Sequence, residues 1–183
     1  MKRTRPLAAV LTAATLAAVL VPSIAGQAAT ATRTYRPPFR AGAKGGDFSN
    51  LIYSDPSTGR VGVLRAYPVP GPFGCSSTGG FVTLRVLHHV TSAVRSVTVL
   101  YSGAAVDPYS FLIVEAKDGN RYMGSKEVRG PVTGSGQVRV PLDLGTPQVG
   151  SVLRIDFGVE VSSACPNADG ATAQFDSVRV RGG

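Results

Sequence analysis

The chain has 183 residues, and its 19 basic and 11 acidic side chains give a formal net charge of +8. Seven of the basic residues precede position 45, which leaves 12 basic and 11 acidic side chains in residues 45–183. This nearly neutral body argues against a nucleic-acid-binding domain, and its two cysteines, without a CxxC spacing, argue against a zinc site.

Residues 1–31 have the order of segments that is typical of a secretory signal peptide. Three basic residues lie within the first five positions, and an uncharged apolar run over 7–20 follows them. Small residues follow the apolar run, and cleavage after Ala28 or after Ala31 would each come directly after a small-x-small pattern. The apolar run is shorter than the roughly 20 residues that a membrane-spanning helix needs. We therefore expect a secreted, extracellular protein without a membrane anchor after cleavage.

The next stretch, 32–46, is predicted to be a flexible basic tail because it lacks an apolar period. It carries four basic side chains, which are Arg33, Arg36, Arg40 and Lys44. The simplest interpretation is a solvated linker. The alternative is an arm that contacts an anionic wall polymer or nucleic acid through these cations, together with Tyr35 and Phe39.

Residues 47–183 are predicted to fold as one all-β domain, an antiparallel two-sheet β-sandwich of about eight strands with a jelly-roll arrangement. Thirteen prolines and 22 glycines interrupt the chain, and no segment has a helical period. The predicted strands are 61–67, 82–90, 97–101, 109–116, 121–123, 138–144, 153–161 and 171–180, with 48–53 as a candidate ninth.

The alternation of apolar and polar residues assigns faces to several side chains. In 153–161 the odd positions are apolar, and Arg154, Asp156 and Glu160 fall on the opposite, wet face. The same period places His88 inward and His89 outward, so the two cannot share a metal ion. It also predicts that four further side chains belong to the core, namely Tyr101, Tyr109, Leu142 and Leu144. Asp118-Gly119-Asn120 is a hairpin turn signal.

Cys75 and Cys165 lie in the two longest irregular segments, 68–80 and 162–170. In an oxidising compartment an isolated pair of this kind is expected to form a disulfide. Free thiols, or a bridge to another chain, are the alternatives. The disulfide would brace one end of the sandwich or hold two loops in position for a ligand.

No catalytic motif stands out, so the sequence does not predict an enzyme. It lacks a nucleophile elbow, a phosphate-binding loop and a metalloprotease helix. Its glutamates are Glu115, Glu127 and Glu160, and no spacing rule pairs them in one cleft. A secreted hydrolase with an unrecognised acid pair remains the second alternative function.

The ending GATAQFDSVRV resembles the closing strand of carbohydrate-binding, galactose-binding-like jelly-roll modules of secreted bacterial proteins. In such modules the aspartate of this strand commonly helps to ligate a structural calcium ion. The resemblance implies that role for Asp176, with Asp47 as its partner. The alternative is an aspartate at the rim of the domain that makes hydrogen bonds, since calcium needs about six oxygens or more. Period two places Asp176 on the face of Val178 and Val180.

The resemblance also implies a non-catalytic module that binds an extracellular or cell-wall polysaccharide or glycan. The chain has no tryptophan to stack on a sugar ring, so the candidate platforms are Tyr67, Phe73 and Tyr122. The first alternative is an extracellular protein-interaction or protease-inhibitor module that uses the loop 68–80, which three prolines stiffen. Apart from calcium, no cofactor is expected.

Overall fold

The computed structural model describes residues 31–45, 54–55, 60–61, 63–66, 80–161 and 170–182. The strands in these ranges are β1 (Thr32–Tyr35), β2 (Arg40–Gly45), β3 (Ser54–Asp55), β4 (Arg60–Val61), β5 (Val63–Ala66), β6 (Gly80–His89), β7 (Val94–Val106), β8 (Ser110–Asp118), β9 (Arg121–Arg129), β10 (Val132–Pro141), β11 (Val152–Val161) and β12 (Ala171–Gly182). Within these ranges, no helix is long and apolar enough to cross a bilayer.

Ten of these strands form two five-stranded antiparallel sheets. Sheet A has the order β1-β12-β7-β10, with β5 also paired to β12, and sheet B has the order β2-β6-β11-β8-β9. The strands β3 and β4 pair separately. Among the ten, the chain passes to the other sheet at every connection except the β8–β9 hairpin, an alternation typical of a jelly roll. The predicted all-β sandwich is therefore confirmed.

All eight strands predicted with this sandwich are present, as β5 to β12. The candidate ninth strand, 48–53, lies outside the described residues. The hairpin predicted at Asp118–Asn120 joins β8 to β9, and Gly119 adopts the left-handed φ of +60° that such a turn requires.

The core lies between the two sheets and is centred on β11. The odd residues of that strand are fully buried, as predicted: Leu153, Ile155, Phe157, Val159 and Val161. The Phe157 ring meets Phe175 of sheet A at a centroid distance of 5.2 Å and Phe39 at 5.1 Å, both edge to face. Such aromatic pairs add to the free energy gained by burying their area.

The prediction of a flexible tail at 32–46 is wrong, because two strands form there. β1 pairs with β12 and β2 pairs with β6, so both strands find hydrogen-bond partners at sheet edges. Phe39, between them, packs against the core. Tyr35 Oη lies 2.8 Å from His88 Nδ1 and is hydrogen-bonded to it. An edge strand does not need the apolar alternation on which the prediction depended.

His88 is buried as predicted, whereas two of the residues assigned to the core are exposed. Tyr101 is 8% exposed and Leu142 is 8% exposed, but Tyr109 is 42% and Leu144 is 55% exposed. Tyr109 belongs to the turn before β8, where its amide donates to Asp107 Oδ1 at 2.8 Å. Leu144 follows the end of β10 at Pro141, so the alternation of that strand no longer applies to it.

Replacing Phe39 by alanine tests whether the stretch 32–45 is part of the fold. Phe39→Ala removes the edge-to-face contact with Phe157, and we expect the free energy of unfolding to fall by about 2–4 kcal/mol. Leu144→Ala, at an exposed site, is the control and should change it by less than about 0.5 kcal/mol. Urea denaturation followed by circular dichroism measures both. Equal effects of the two substitutions would contradict the packing of this stretch on the core and would support the prediction of a flexible tail.

Candidate functional site

The outer face of sheet B carries a groove of about 380 Å³ that is open to solvent. Side chains from five strands line this sheet B groove. Those that carry charge are Arg85, Lys117, Lys126, Arg154, Glu115, Glu127, Asp156 and Glu160. Four cations face four anions, so the groove as a whole is close to neutral.

The strand register explains why these side chains meet. The odd residues of β11 point into the core, so its even residues line the opposite face. Asp156 on β11 is the direct partner of Arg85 on β6 and of Glu115 on β8. Because directly opposed residues of antiparallel strands have neighbouring side chains, these three form one row across the sheet.

Gly158 leaves the floor of the sheet B groove without a side chain. It is the cross-strand partner of Thr83 and of Ile113, at the centre of the sheet. A Cβ atom there would lie 2.0 Å from the carbonyl oxygen of Val82. The close approach of β6 and β11 therefore requires glycine at this position.

Asp156 is the best-anchored charge in the groove. It is 8% exposed, and Arg85 Nε donates a hydrogen bond to its Oδ1 at 2.6 Å. Arg154 Nε lies 2.9 Å from Oδ2, an ion pair without hydrogen-bond alignment. A carboxylate removed from water needs such partners. The outer face of sheet B, which the sequence predicted to be wet, thus contains a mostly buried acid between two partly exposed arginines.

Lys117 and Glu115 form a second ion pair in the groove, with Nζ 2.8 Å from Oε2. Their side chains are 28% and 36% exposed, so water screens the pair and it contributes little to stability. Both side chains can exchange this contact for a ligand at small cost.

Glu160 and Glu127 also face the groove, although no spacing in the sequence pairs them. Burial and then repulsion by Glu127 raise the pKa of Glu160 above its ordinary 4.5. The strands β11 and β9 that carry them are separated by β8, and two strand spacings amount to about 10 Å. The two carboxylates therefore interact across one strand, which only the sheet order reveals.

Tyr122 is the one predicted platform residue that the described ranges contain. It lines the sheet B groove and is 39% exposed, and its hydroxyl donates a short hydrogen bond to Ser125 Oγ. Tyr67 and Phe73 lie outside the described residues, as do Cys75 and Cys165. The disulfide and the other two platforms remain predictions.

Asp176 does not share a face with Val178 and Val180, which corrects the assignment from period two. The pairing of β12 with β7 shifts register between Phe175 and Ser177, a β-bulge that reverses the alternation. Asp176 is half-buried, on the outer side of sheet A, where its Oδ1 accepts a hydrogen bond from Ser102 Oγ at 3.0 Å.

The calcium site at Asp176 remains a prediction. Its expected partner, Asp47, lies outside the described residues. Among the residues that the structure does describe, no three histidine, cysteine, aspartate or glutamate side chains come together as a metal site.

Solved structures to which this chain is similar include two carbohydrate-binding modules. The CBM36-1 domain of a multidomain xylanase from the hindgut metagenome of Trinervitermes trinervoides is similar over 84% of this chain and 98% of its own, with 11% identity and a TM-score of 0.42. TmCBM61, solved with beta-1,4-galactotriose, is similar over 78% of this chain and 87% of its own, with 12% identity and a TM-score of 0.41.

A third similar structure is the isomalto-dextranase of Arthrobacter globiformis T6 in complex with panose. The match covers 81% of this chain but only 23% of that chain, with 16% identity and a TM-score of 0.40. No protein-family model and no curated protein sequence matches the chain.

Asp156→Asn should lower the free energy of unfolding by about 2–3 kcal/mol, because it leaves Arg85 and Arg154 without their common acid. Glu115→Gln is the matched control on the same face, since it breaks only the exposed pair with Lys117 and should cost at most about 1 kcal/mol. Chemical denaturation at low ionic strength gives both values. A cost for Asp156→Asn no larger than the control would contradict the anchoring role of Asp156.

Glu160→Gln should stabilise the protein more at about pH 7 than at about pH 4. The pKa of Glu160 is raised on folding, so the folded state binds this proton more tightly than the unfolded chain does. The contribution of protonated Glu160 to the free energy of unfolding is therefore fully present below the ordinary pKa of 4.5. It is lost as the pH rises through the pKa that Glu160 has in the folded state. Glutamine has no proton to lose and avoids that penalty.

The pH dependence is measured by urea denaturation of wild type and variant at both pH values. Glu127→Gln is the companion variant and should produce a smaller gain, because repulsion by Glu127 is the lesser of the two causes. A gain from Glu160→Gln that is the same at both pH values would contradict the raised pKa.

Proposed function

We propose that this protein is a secreted, non-catalytic module that binds an extracellular or cell-wall carbohydrate along the sheet B groove. The observation that carries the proposal is the groove itself, an open trough across sheet B lined by hydrogen-bonding side chains with Tyr122 among them. Export is supported by the segment pattern of residues 1–31.

The dimensions and charge of the groove suit a neutral chain of sugars. Four strands, β6, β11, β8 and β9, span about 14 Å at the usual strand spacing, enough for a short oligosaccharide. Its carboxylates can accept hydrogen bonds from the hydroxyl groups of a sugar, and its lysine and arginine side chains can donate to them. Since four positive and four negative side chains balance, the groove itself does not favour a polyanion such as nucleic acid.

Tyr122 supplies the apolar contact that a sugar ring needs. Its hydrogen bond to Ser125 fixes the hydroxyl end of the side chain, so less rotational freedom is lost on binding. The partly exposed ring offers a flat surface beside polar groups, a combination that aromatic residues commonly supply at binding sites.

Glycoside hydrolysis is a second candidate, favoured by the placement of Glu160 and Glu127 in one groove. Burial keeps Glu160 protonated to higher pH than an exposed glutamate, which suits a general acid, and Glu127 would then serve as the base. The inhibitor alternative depends on the loop 68–80, which lies outside the described residues except for Gly80.

Retention of the purified protein on insoluble polysaccharides tests the proposal, with xylan, galactan, cellulose and peptidoglycan as the first panel. Tyr122→Ala should weaken binding about tenfold, as loss of a central aromatic contact does. Tyr109→Ala, which removes an exposed tyrosine outside the groove, is the matched control and should bind as wild type.

Failure to bind any polymer in the panel would refute the proposed function. Release of reducing ends during the same incubation, abolished by both Glu160→Gln and Glu127→Gln, would establish the hydrolase instead. Repeating the retention assay with a chelator tests the calcium proposed at Asp176, which requires weaker retention or a lower melting temperature.

A further inference from the structure

A second cavity, of about 290 Å³, adjoins the sheet B groove at the edge formed by β2 and β6. Its charged side chains are Arg36, Arg40 and Arg85, and its other titratable side chains are Tyr35 and His89. We call this cavity the arginine pocket. Among the described residues that line it, none is an acid. Arg85 lines both cavities, so the pocket and the groove are neighbours at this side chain.

The pairing of β2 with β6 places two positive charges next to each other in the arginine pocket. Arg40 on β2 is the direct cross-strand partner of Arg85 on β6. Directly opposed side chains of antiparallel strands have Cβ atoms about 5 Å apart, and like charges in such pairs destabilise the sheet. Asp156 compensates Arg85, but Arg36 and Arg40 form no ion pair with any carboxylate in the described residues. Part of the positive charge therefore has no counter-charge among the residues that the structure describes.

The segment that carries Arg36 and Arg40 is held firmly at both ends. Tyr35 bonds to buried His88, and Phe39 packs on Phe157. Arg36 and Arg40 are exposed, and the partly buried Tyr35 and Phe39 line the pocket beside them. Because the backbone of the segment is already fixed, only the arginine side chains need to be ordered when a ligand binds.

We propose that the arginine pocket binds an anionic group, a carboxylate or a phosphate, carried by the polysaccharide in the neighbouring groove. Guanidinium groups bind both anions through paired, charge-assisted hydrogen bonds. Arg85 is fixed by Asp156 through Nε, which leaves its terminal nitrogens directed to other partners. The ligand is thus an acidic polysaccharide whose sugar ring meets the groove and whose acid meets the pocket. The sugar part of this inference rests on the proposed function.

The test compares the binding of polygalacturonate, a phosphomannan and a neutral galactan, each measured by affinity electrophoresis at low and high salt. The double variant Arg36→Gln/Arg40→Gln should bind at least one of the two anionic polymers about tenfold or more weakly. Its remaining affinity should also be less sensitive to salt. Whichever polymer responds identifies the carboxylate or the phosphate as the group bound.

The matched control is Arg179→Gln/Arg181→Gln, which removes the same charge from exposed positions of β12 on sheet A. It should leave binding of both anionic polymers unchanged. Equal losses in the two double variants would show general attraction to a basic protein and would overturn the arginine pocket. So would wild-type binding of both anionic polymers by Arg36→Gln/Arg40→Gln.

The outcome for neutral galactan separates this inference from the proposed function. Loss of anionic binding with galactan binding retained supports both. A second outcome is that the wild type binds an anionic polymer through Arg36 and Arg40 but retains no neutral polysaccharide. That outcome supports the arginine pocket and refutes the binding of neutral sugar in the sheet B groove. Without ligand, Arg40→Gln should leave the melting temperature equal or higher, because it relieves the repulsion with Arg85, and a lower value would contradict that repulsion.

Discussion

The burial of Phe157 between Phe39 and Phe175 is the contact on which the rest of the molecule depends. It joins sheet B to sheet A and draws the segment between β1 and β2 onto the sandwich. Since side chains alternate along a strand, fixing Phe157 inward also fixes Asp156 outward. The hydrophobic core therefore determines which charged residues line the outer face of sheet B.

Asp156 links the two surfaces proposed to bind ligand. Its carboxylate lies between Arg154, inside the sheet B groove, and Arg85, which the groove shares with the arginine pocket. A ligand that binds Arg85 from the pocket therefore contacts a guanidinium group that Asp156, in the groove, already holds in position. The acid thus acts as a positioning residue for both surfaces, and its low exposure keeps competing water away.

The sequence predicted what depends on local alternation, which includes the eight strands β5 to β12, the buried side of β11 and the inward position of His88. It could not predict β1 and β2, because the residues of these two strands show no apolar alternation. The face predicted for Asp176 was wrong because the β-bulge between Phe175 and Ser177 contains no glycine that would mark it in the sequence. Glu127 and Glu160 meet only through the order of strands in sheet B, a long-range property that spacing does not encode.

The position of β9 at the edge of sheet B has a consequence for how the molecule meets its own copies. An edge strand exposes unpaired backbone groups that can template aggregation with a second chain. The exposed charges of Lys126 and Arg129, together with the register shift beside Gly124, oppose such pairing. The charges and the bulge of β9 therefore disfavour edge-to-edge pairing of sheet B with a second chain.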